Sequence, residues 1–290
     1  MNAGVLVLSW LVLCHLLADF VLQPDHVATR KFGRGPDAWR ALGIHVAIVG
    51  LVAAPIVLVY GLPGVAYVVV TVVTHLLIDR GKVEATLRMA VGAPPVAGSP
   101  PAPDAAPADP EMVPGWSPMP GVWFLLDQLA HIAVLVGAWA LFLARAQPLG
   151  WWDDLVARIA ASGDGETVGR VTLALVVLAA LVVANTRAGS LFVGTLDRAP
   201  RPPVVQDVRT ADGPSVARVG ATIGVIERLL IAALVLSGGV AAVGLVIAAK
   251  TIARFRQLED RLFAEYYLLG TLGSVALAVI TSLIAQLALA

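Results

Sequence analysis

Apolar stretches long enough to cross a membrane as helices dominate this sequence of 290 residues. A transmembrane helix needs about 20 mostly apolar residues. Five stretches meet that requirement clearly, and they cover residues 4–22, 41–60, 62–80, 121–144 and 168–193. Only 14% of the residues are charged, whereas soluble domains carry about 25%. The sequence therefore predicts an all-α polytopic membrane protein and excludes an ordinary soluble enzyme.

The segment 220–250 is too long for one crossing. As a single helix its about 30 residues would extend roughly 46 Å, while the hydrocarbon core is about 30 Å thick. Ser237, Gly238 and Gly239 lie at its centre, between two apolar arms of ten to twelve residues each. This pattern predicts a re-entrant helical hairpin. With a last helix over about 262–289, we predict six transmembrane helices plus the hairpin.

Lysines and arginines are concentrated in the loops after the first, third and fifth predicted spans. Loops rich in these residues stay in the cytoplasm. We therefore expect both termini to lie outside. The hairpin keeps the basic cluster that begins at Lys250 on the cytoplasmic side, where the charge rule places it.

Composition divides the chain into four parts. Residues 1–90 and 121–145 form a four-helix membrane unit, and 91–120 hold a proline- and alanine-rich segment that we predict to be a disordered linker. Residues 146–217 hold an interfacial helix that begins at Trp151 and Trp152, the fifth span and a cytoplasmic loop. Residues 218–290 hold the hairpin and the last helix.

Charge, cysteine and motif content exclude several kinds of function. Basic and acidic residues are equal in number, at 20 each, so no overall positive field favours nucleic acid, and membrane lipid is the expected partner. Cys14 is the only cysteine, which excludes an intrachain disulfide and a cysteine-based zinc site. The motifs of zincin proteases, serine hydrolases and P-loop ATPases are absent from the sequence.

Three histidines inside predicted spans each have an aspartate four residues away. The pairs are His15 with Asp19, His75 with Asp79, and Asp127 with His131, and a fourth histidine, His45, lies near the start of the second span. Residues i and i+4 project from one face of a helix, so each pair can offer an imidazole nitrogen and a carboxylate oxygen to one centre. This spacing is typical of metal ligands.

All seven residues fall at a similar depth, near the cytoplasmic ends of the first four spans. Ionisable groups at such a depth cost several kcal/mol each unless they are paired, metal-bound or hydrated. We predict one or two divalent ions there, zinc or manganese, and the alternative is a metal-free network of His–Asp hydrogen bonds. Asp19, Asp79 and Asp127 could each be a metal ligand or the general base. Gln23 could contact these ligands or the substrate, or lie at the interface as a hydrated amide.

A second polar set lies in the last part of the chain and consists of Glu227, Arg228, Lys250 and Arg254. A hairpin would place Glu227 beside Lys250 at its open end. Two roles are open for this set. One is a salt-bridged clamp between helix ends, and the other is binding of an anionic lipid headgroup by the three basic residues.

These motifs resemble those of a bacterial inner-membrane family of unknown function. The resemblance is carried by HLLADFVLQ at 15–23, His45, HLLID at 75–79 with Lys82, and LDQLAH at 126–131. More distantly, the chain is similar to the LexA-regulated inner-membrane metal-dependent hydrolases, whose helices carry His and Asp at such spacings. Residues 224–271 are similar to the second half of longer family members. The resemblance implies a bacterial inner-membrane location and hydrolase activity.

Three functions are compatible with the His/Asp cluster. The first is an intramembrane metal-dependent hydrolase that acts on a lipid-borne or membrane-associated substrate. The second is a divalent-cation or proton-coupled transporter that uses the same cluster. The third is a non-catalytic scaffold with a structural ion. Access to the cluster from one face would favour the enzyme, and access from both faces would favour transport.

Overall fold

The computed structural model describes residues 3–31, 35–92, 119–161, 165–196 and 216–290, and all regular structure in these ranges is helical. In chain order the helices are α1 (Ala3–Phe20), α2 (Asp25–Arg30), α3 (Pro36–Ala53), α4 (Pro55–Tyr60), α5 (Leu62–Gly92), α6 (Met119–Ala138), α7 (Gly150–Ala161), α8 (Gly165–Val183), α9 (Gly189–Leu196), α10 (Val216–Leu236), α11 (Val243–Ala253) and α12 (Arg261–Leu289). A π-helical turn, Trp139–Leu143, continues α6, and a second one, Ala184–Ala188, joins α8 to α9. The predicted linker 91–120 lies, except at its two ends, outside the described residues.

Seven helical segments of the described chain are long and apolar enough to cross a membrane. They are Ala3–Phe20, Pro36–Tyr60, Leu62–Thr86, Pro120–Leu143, Gly165–Leu196, Val219–Leu236 and Phe263–Leu289. The predicted fold class is therefore confirmed, and the chain is an all-α, multi-pass membrane protein. The helix predicted after Trp151 is present as α7, and the indole Nε1 of Trp151 donates to the carbonyl oxygen of Leu58 at 2.9 Å.

Glycine and proline set the connection between α4 and α5. Pro55 begins α4, and Gly61, with φ of +60°, ends it. A Cβ atom on Gly64 would lie 2.7 Å from the carbonyl oxygen of Ile56, so only glycine allows the two backbones to approach so closely. This close approach brings the end of α4 against the start of α5.

The long segment near the carboxyl end turns where the sequence predicts. Gly238 has φ of +79° and separates α10 from α11. Lys250 Nζ lies 2.5 Å from Glu227 Oε2, so α11 runs back along α10. The prediction of two similar arms is wrong, because the helix begins before residue 220. The first arm, Val219–Leu236, is long enough to cross by itself, whereas the second, Val240–Ala253, is a shorter apolar helix.

Packing places both ends of the described chain at one end of the helix bundle. One and the same buried cluster is in contact with Val5 and Leu6 of α1, Leu236 of α10 and Ala288 of α12. The carboxyl end of α1 and the amino ends of α3 and α6 therefore lie at the opposite end. We call this end, where α1 ends and α3 and α6 begin, the loop end.

Candidate metal centre

The seven candidate ligands come together between four helices near the loop end. α1 supplies His15 and Asp19, α3 supplies His45, α5 supplies His75 and Asp79, and α6 supplies Asp127 and His131. Six of them are buried, and the side chain of Asp19 is only 9% exposed. Because each i, i+4 pair projects from one helix face, three helices can each direct two ligands at the same space.

Asp19 lies at the centre of the histidines. Its Oδ1 atom is 3.5 Å from His45 Nε2, 3.6 Å from His75 Nε2 and 3.7 Å from His15 Nδ1. This Oδ1 atom has no hydrogen-bond partner within the described part of the chain. One carboxylate oxygen is therefore surrounded by three imidazoles and bonded to none of them.

His45 and His75 link Asp19 to the second carboxylate, Asp79. The two Nε2 atoms of these histidines are 2.9 Å apart, so one donates a hydrogen bond and the other accepts it. Asp79 Oδ2 lies 3.5 Å from His45 Nε2 and 4.0 Å from His75 Nε2. The aspartates of α1 and α5 thus share the same pair of imidazoles.

His131 of α6 has one imidazole nitrogen that makes no hydrogen bond in the described chain. His131 Nδ1 is 2.8 Å from the backbone carbonyl oxygen of Asp127, and a carbonyl only accepts, so Nδ1 carries the proton. In the neutral imidazole the lone pair is then on Nε2. This buried Nε2 has no hydrogen-bond partner among the described residues. An outer hydrogen bond that fixes the tautomer in this way is the usual arrangement of a metal-binding histidine.

Two lysines that the sequence analysis gave no role in the site bind its carboxylates. Lys31 Nζ is 3.0 Å from Asp79 Oδ2, and Lys82 Nζ is 2.7 Å from Asp127 Oδ2. Within the described ranges, Asp19 has no lysine partner. Lys82 lies three residues after Asp79 and hence on the same helix face, which is a sequence signal. Lys31 follows α2 in a loop, and no local spacing connects it with Asp79.

Two glutamines lie beside the carboxylates of the site. When the amide of Gln23 is oriented to satisfy both of its neighbours, its oxygen accepts from Lys31 Nζ and its nitrogen donates to the backbone oxygen of Asp19, each at 3.2 Å. Gln128 Nε2 donates to Asp127 Oδ2 at 3.2 Å. Gln23 thus lies beside Asp19 and Lys31, which is one of the alternatives that the sequence left open, while its contact with a substrate stays a prediction.

Three groups of ligand atoms are close enough together to hold an ion. They are His15, Asp19 and His75; His45, His75 and Asp79; and Asp79, Asp127 and His131, and in each group the ligand atoms lie within 4.8 Å of one another. Four buried atoms in these groups have no hydrogen-bond partner in the described chain, and they are His15 Nε2, Asp19 Oδ1, Asp127 Oδ1 and His131 Nε2. Imidazole nitrogens and carboxylate oxygens are atoms that could serve as ligands of a divalent cation.

A cavity lies on the side of the histidines away from the loop end. His15, His75 and His131 form its polar wall, while Leu11 and Leu135 belong to its apolar lining. Leu11 precedes His15 on α1, and Leu135 follows His131 on α6, which runs in the opposite direction. The site therefore has a charged side with lysines at the loop end and an apolar side towards the bundle interior.

The basic residues of the second polar set are not brought together. Arg228 is buried, and its guanidinium donates to the backbone oxygen of Asn185 at 2.6 Å, to Ser190 Oγ at 2.8 Å and to Ser274 Oγ at 3.3 Å. Lys250 pairs instead with Glu227, as the predicted clamp requires. Arg254 donates to the side-chain oxygen of Gln257 at 2.9 Å on the exposed surface. A headgroup site that uses all three basic residues at once does not follow from these positions.

One comparison with known proteins identifies a family. No curated protein and no solved structure matches the chain. A family model described as "Protein of unknown function (DUF3307)" matches residues 7–151, which is half of the chain. The matched range contains all seven candidate ligands together with Lys31 and Lys82. The chain therefore belongs to the DUF3307 family.

Proposed function

We propose that this protein is an intramembrane metal-dependent hydrolase of the bacterial inner membrane, with its amino terminus outside. Its substrate is lipid-borne or membrane-associated. The observation that carries the proposal is the set of three buried ligand groups, each with its atoms within 4.8 Å of one another, in a helix bundle. Ionisable groups so placed are functional by default.

The distances around Asp19 fit a divalent ion. With ligand bonds of about 2.0–2.2 Å, neighbouring ligands of a tetrahedral zinc ion are about 3.3–3.6 Å apart. The distances from Asp19 Oδ1 to the three histidines are 3.5, 3.6 and 3.7 Å. Imidazole and carboxylate ligands suit zinc, and added carboxylates suit manganese. His15, Asp19 and His75 would hold one ion, with His45 bonded to His75 beside it, while Asp79, Asp127 and His131 could hold a second.

The carboxylates of the site differ in what they can do. A bound divalent ion supplies Lewis acidity, which polarises a carbonyl or phosphoryl oxygen and makes water a nucleophile near neutral pH. Asp127 accepts from Lys82 and Gln128 on Oδ2 and keeps Oδ1 unbonded. Asp127 can therefore accept a proton on Oδ1 while its orientation stays fixed, as a general base requires. Asp19, which lies among three histidines, is better suited to be a ligand.

The cavity beside the histidines has room for about one water molecule, which is the second reactant of a hydrolase. Leu11, Val49 and Leu135 line it together with Tyr67 and Thr71. The alternative is a divalent-cation or proton-coupled transporter that uses the same His/Asp cluster. The distant resemblance to LexA-regulated hydrolases supports the hydrolase.

Metal analysis of the purified full-length protein tests the proposal. We expect one or two zinc or manganese ions per chain in the wild type and a large loss in His75→Ala, because His75 belongs to two of the three ligand groups. His26→Ala is the matched control, since His26 is exposed on α2. Equal metal content in the two variants would contradict the proposed centre. Metal-dependent ion uptake into proteoliposomes would favour the transporter over the hydrolase.

A further inference from the structure

We infer that the ligand of this centre carries a phosphate group, and that Lys31 and Lys82 bind it. The inference rests on the proposed function and names the substrate class of the same site. Both lysines lie at the loop end of the His/Asp cluster, each with its ammonium group on a cluster carboxylate.

The net charge of the site favours an anionic ligand once an ion is bound. Three carboxylates and two lysines leave one net negative charge at the site, with Asp19 as the carboxylate that no lysine contacts in the described chain. A divalent ion changes that balance to one net positive charge. A surplus positive charge among buried groups is costly unless an anion neutralises it. The metal-bound centre therefore favours an anionic ligand over a neutral ester or amide.

The number of contacts distinguishes phosphate from carboxylate. Each lysine forms an ion pair with a different carboxylate, Lys31 with Asp79 and Lys82 with Asp127. The ligand oxygens of these two aspartates lie within 4.8 Å of each other. A ligand that gives each ammonium group and the ion an oxygen of its own needs three acceptor oxygens. A phosphate group has three or more, while a carboxylate has two. Lysines are common phosphate ligands in proteins because they act as compact positive charges.

Both lysines can be reached from the loop end. Their side chains are 12% and 21% exposed, for Lys31 and Lys82 respectively, although the carboxylates beneath them are buried. The apolar cavity lies on the other side of the histidine layer. A phosphate group bound by the lysines would therefore lie on the loop-end side of the ligand layer, opposite the cavity. A lipid phosphate and free phosphate offer the same oxygens there.

Calorimetric titration of the full-length, manganese-loaded protein in detergent micelles tests the inference. The titrants are dioleoyl phosphatidic acid, inorganic phosphate, oleate and dioleoylglycerol. We expect phosphatidic acid to bind at least about tenfold more tightly than oleate, and dioleoylglycerol not to bind. Similar affinities for phosphatidic acid and inorganic phosphate would support phosphate recognition and identify free phosphate as its source. Equal affinities for phosphatidic acid and oleate would overturn the inference.

Variants of the two lysines test whether they bind the phosphate group or only support the structure of the site. Lys82→Gln and Lys31→Gln should each weaken phosphatidic acid binding by about tenfold. Neither should weaken manganese binding, because each removes a cation from the cluster and leaves its ligands in place. Lys250→Gln is the matched control, because it also removes a partly buried lysine from an acidic partner, and it should leave phosphatidic acid affinity unchanged. Equal losses in all three variants would overturn the inference.

Metal content measured on the same samples distinguishes the two proposals. A protein that holds manganese and does not discriminate phosphatidic acid from oleate would contradict the phosphate inference alone. A wild-type protein that holds no manganese or zinc would contradict the proposed function and, with it, this inference.

Discussion

The two polar clusters of this protein lie in different helices and use their side chains differently. In the first, formed by α1, α3, α5 and α6, imidazole and carboxylate atoms of His15, Asp19, Asp127 and His131 are buried without hydrogen bonds in the described chain. In the second, the guanidinium of Arg228 donates three hydrogen bonds, and Lys250 pairs with Glu227.

The difference indicates which cluster is the better candidate for a binding site. A buried polar group without a partner is costly, so several of them at one place point to something that satisfies them. The second cluster also has unbonded buried atoms, Asn185 Oδ1 and the hydroxyl oxygen of Tyr267. An amide and a phenol are weaker metal ligands than imidazoles and carboxylates. We therefore propose that the first cluster binds the metal ion and that the second cluster holds helices together.

The largest expected effect is that of Asp19→Asn on metal binding. Asp19 is the central carboxylate of the first cluster, so its loss should weaken metal affinity by more than the roughly 10–100-fold typical of outer-shell changes. Glu227→Gln removes a carboxylate from the second cluster and should leave metal content unchanged. Inductively coupled plasma mass spectrometry after dialysis against a weak chelator measures both variants. If both variants lost the same amount of metal, the proposed difference between the two clusters would be contradicted.

Arg228→Leu should lower stability and leave metal content intact. The substitution leaves Asn185, Ser190 and Ser274 without their donor, which should reduce the free energy of unfolding by roughly 1–3 kcal/mol. Arg228→Lys should not restore it, because an ammonium lacks the planar fork that reaches three acceptors on different helices. Thermal unfolding in detergent measures stability. A loss of metal in Arg228→Leu without any loss of stability would assign Arg228 to the centre.

A smaller effect is expected from the Glu227–Lys250 pair. Its side chains are 15% and 23% exposed, so removing Glu227 should cost about 1 kcal/mol of unfolding free energy, less than for a fully buried pair. The double variant Glu227→Gln, Lys250→Gln should recover part of that loss, since no charge is left unpaired. Chemical unfolding of both single variants and the double variant measures the coupling. Strict additivity would mean that the pair does not fasten α11 to α10.

The smallest expected effect concerns the turn that allows α11 to reach Glu227. Gly238 has a positive φ, so Gly238→Ala should destabilise the protein by about 1 kcal/mol. Gly244→Ala is the control, because Gly244 lies in α11 with open space around its Cα atom, and alanine favours a helix. Thermal unfolding should rank Gly238→Ala below the wild type and Gly244→Ala at or above it. The opposite order would contradict the role of Gly238 in the turn.

The helices could be predicted well from the sequence because apolar length alone specifies a crossing. Each of the five clear spans and the last helix has a counterpart in the structure. The asymmetry of the hairpin could not be predicted. Apolar composition continues on both sides of Gly238, and only contacts such as that between Lys250 and Glu227 fix where the second arm ends.

The candidate ligands could also be predicted, because their spacing is local. His15 with Asp19 and His75 with Asp79 share helix faces by periodicity, and their common depth predicts that the helices bring them together. The lysines were missed because their partners are distant in sequence. Lys31 meets Asp79 through a loop between α1 and α3, and Lys82 meets Asp127 across helices. In the sequence analysis, Lys31 counted only as a loop charge that indicates the cytoplasmic side, and Lys82 also entered the family resemblance.

The π-helical turn Ala184–Ala188 in the fifth span places the backbone oxygen of Asn185 against Arg228 of α10. Such a turn contains one residue more than the α-helical turn it replaces. Deleting one residue there would rotate the following helix by about 100° and move the backbone oxygen of Asn185 away from Arg228. The family model ends at residue 151, and in relatives that also carry this second half the extra residue and the arginine should be gained and lost together. A one-residue gap in the fifth span would then identify, from sequence alone, the relatives that fasten their second half by another means.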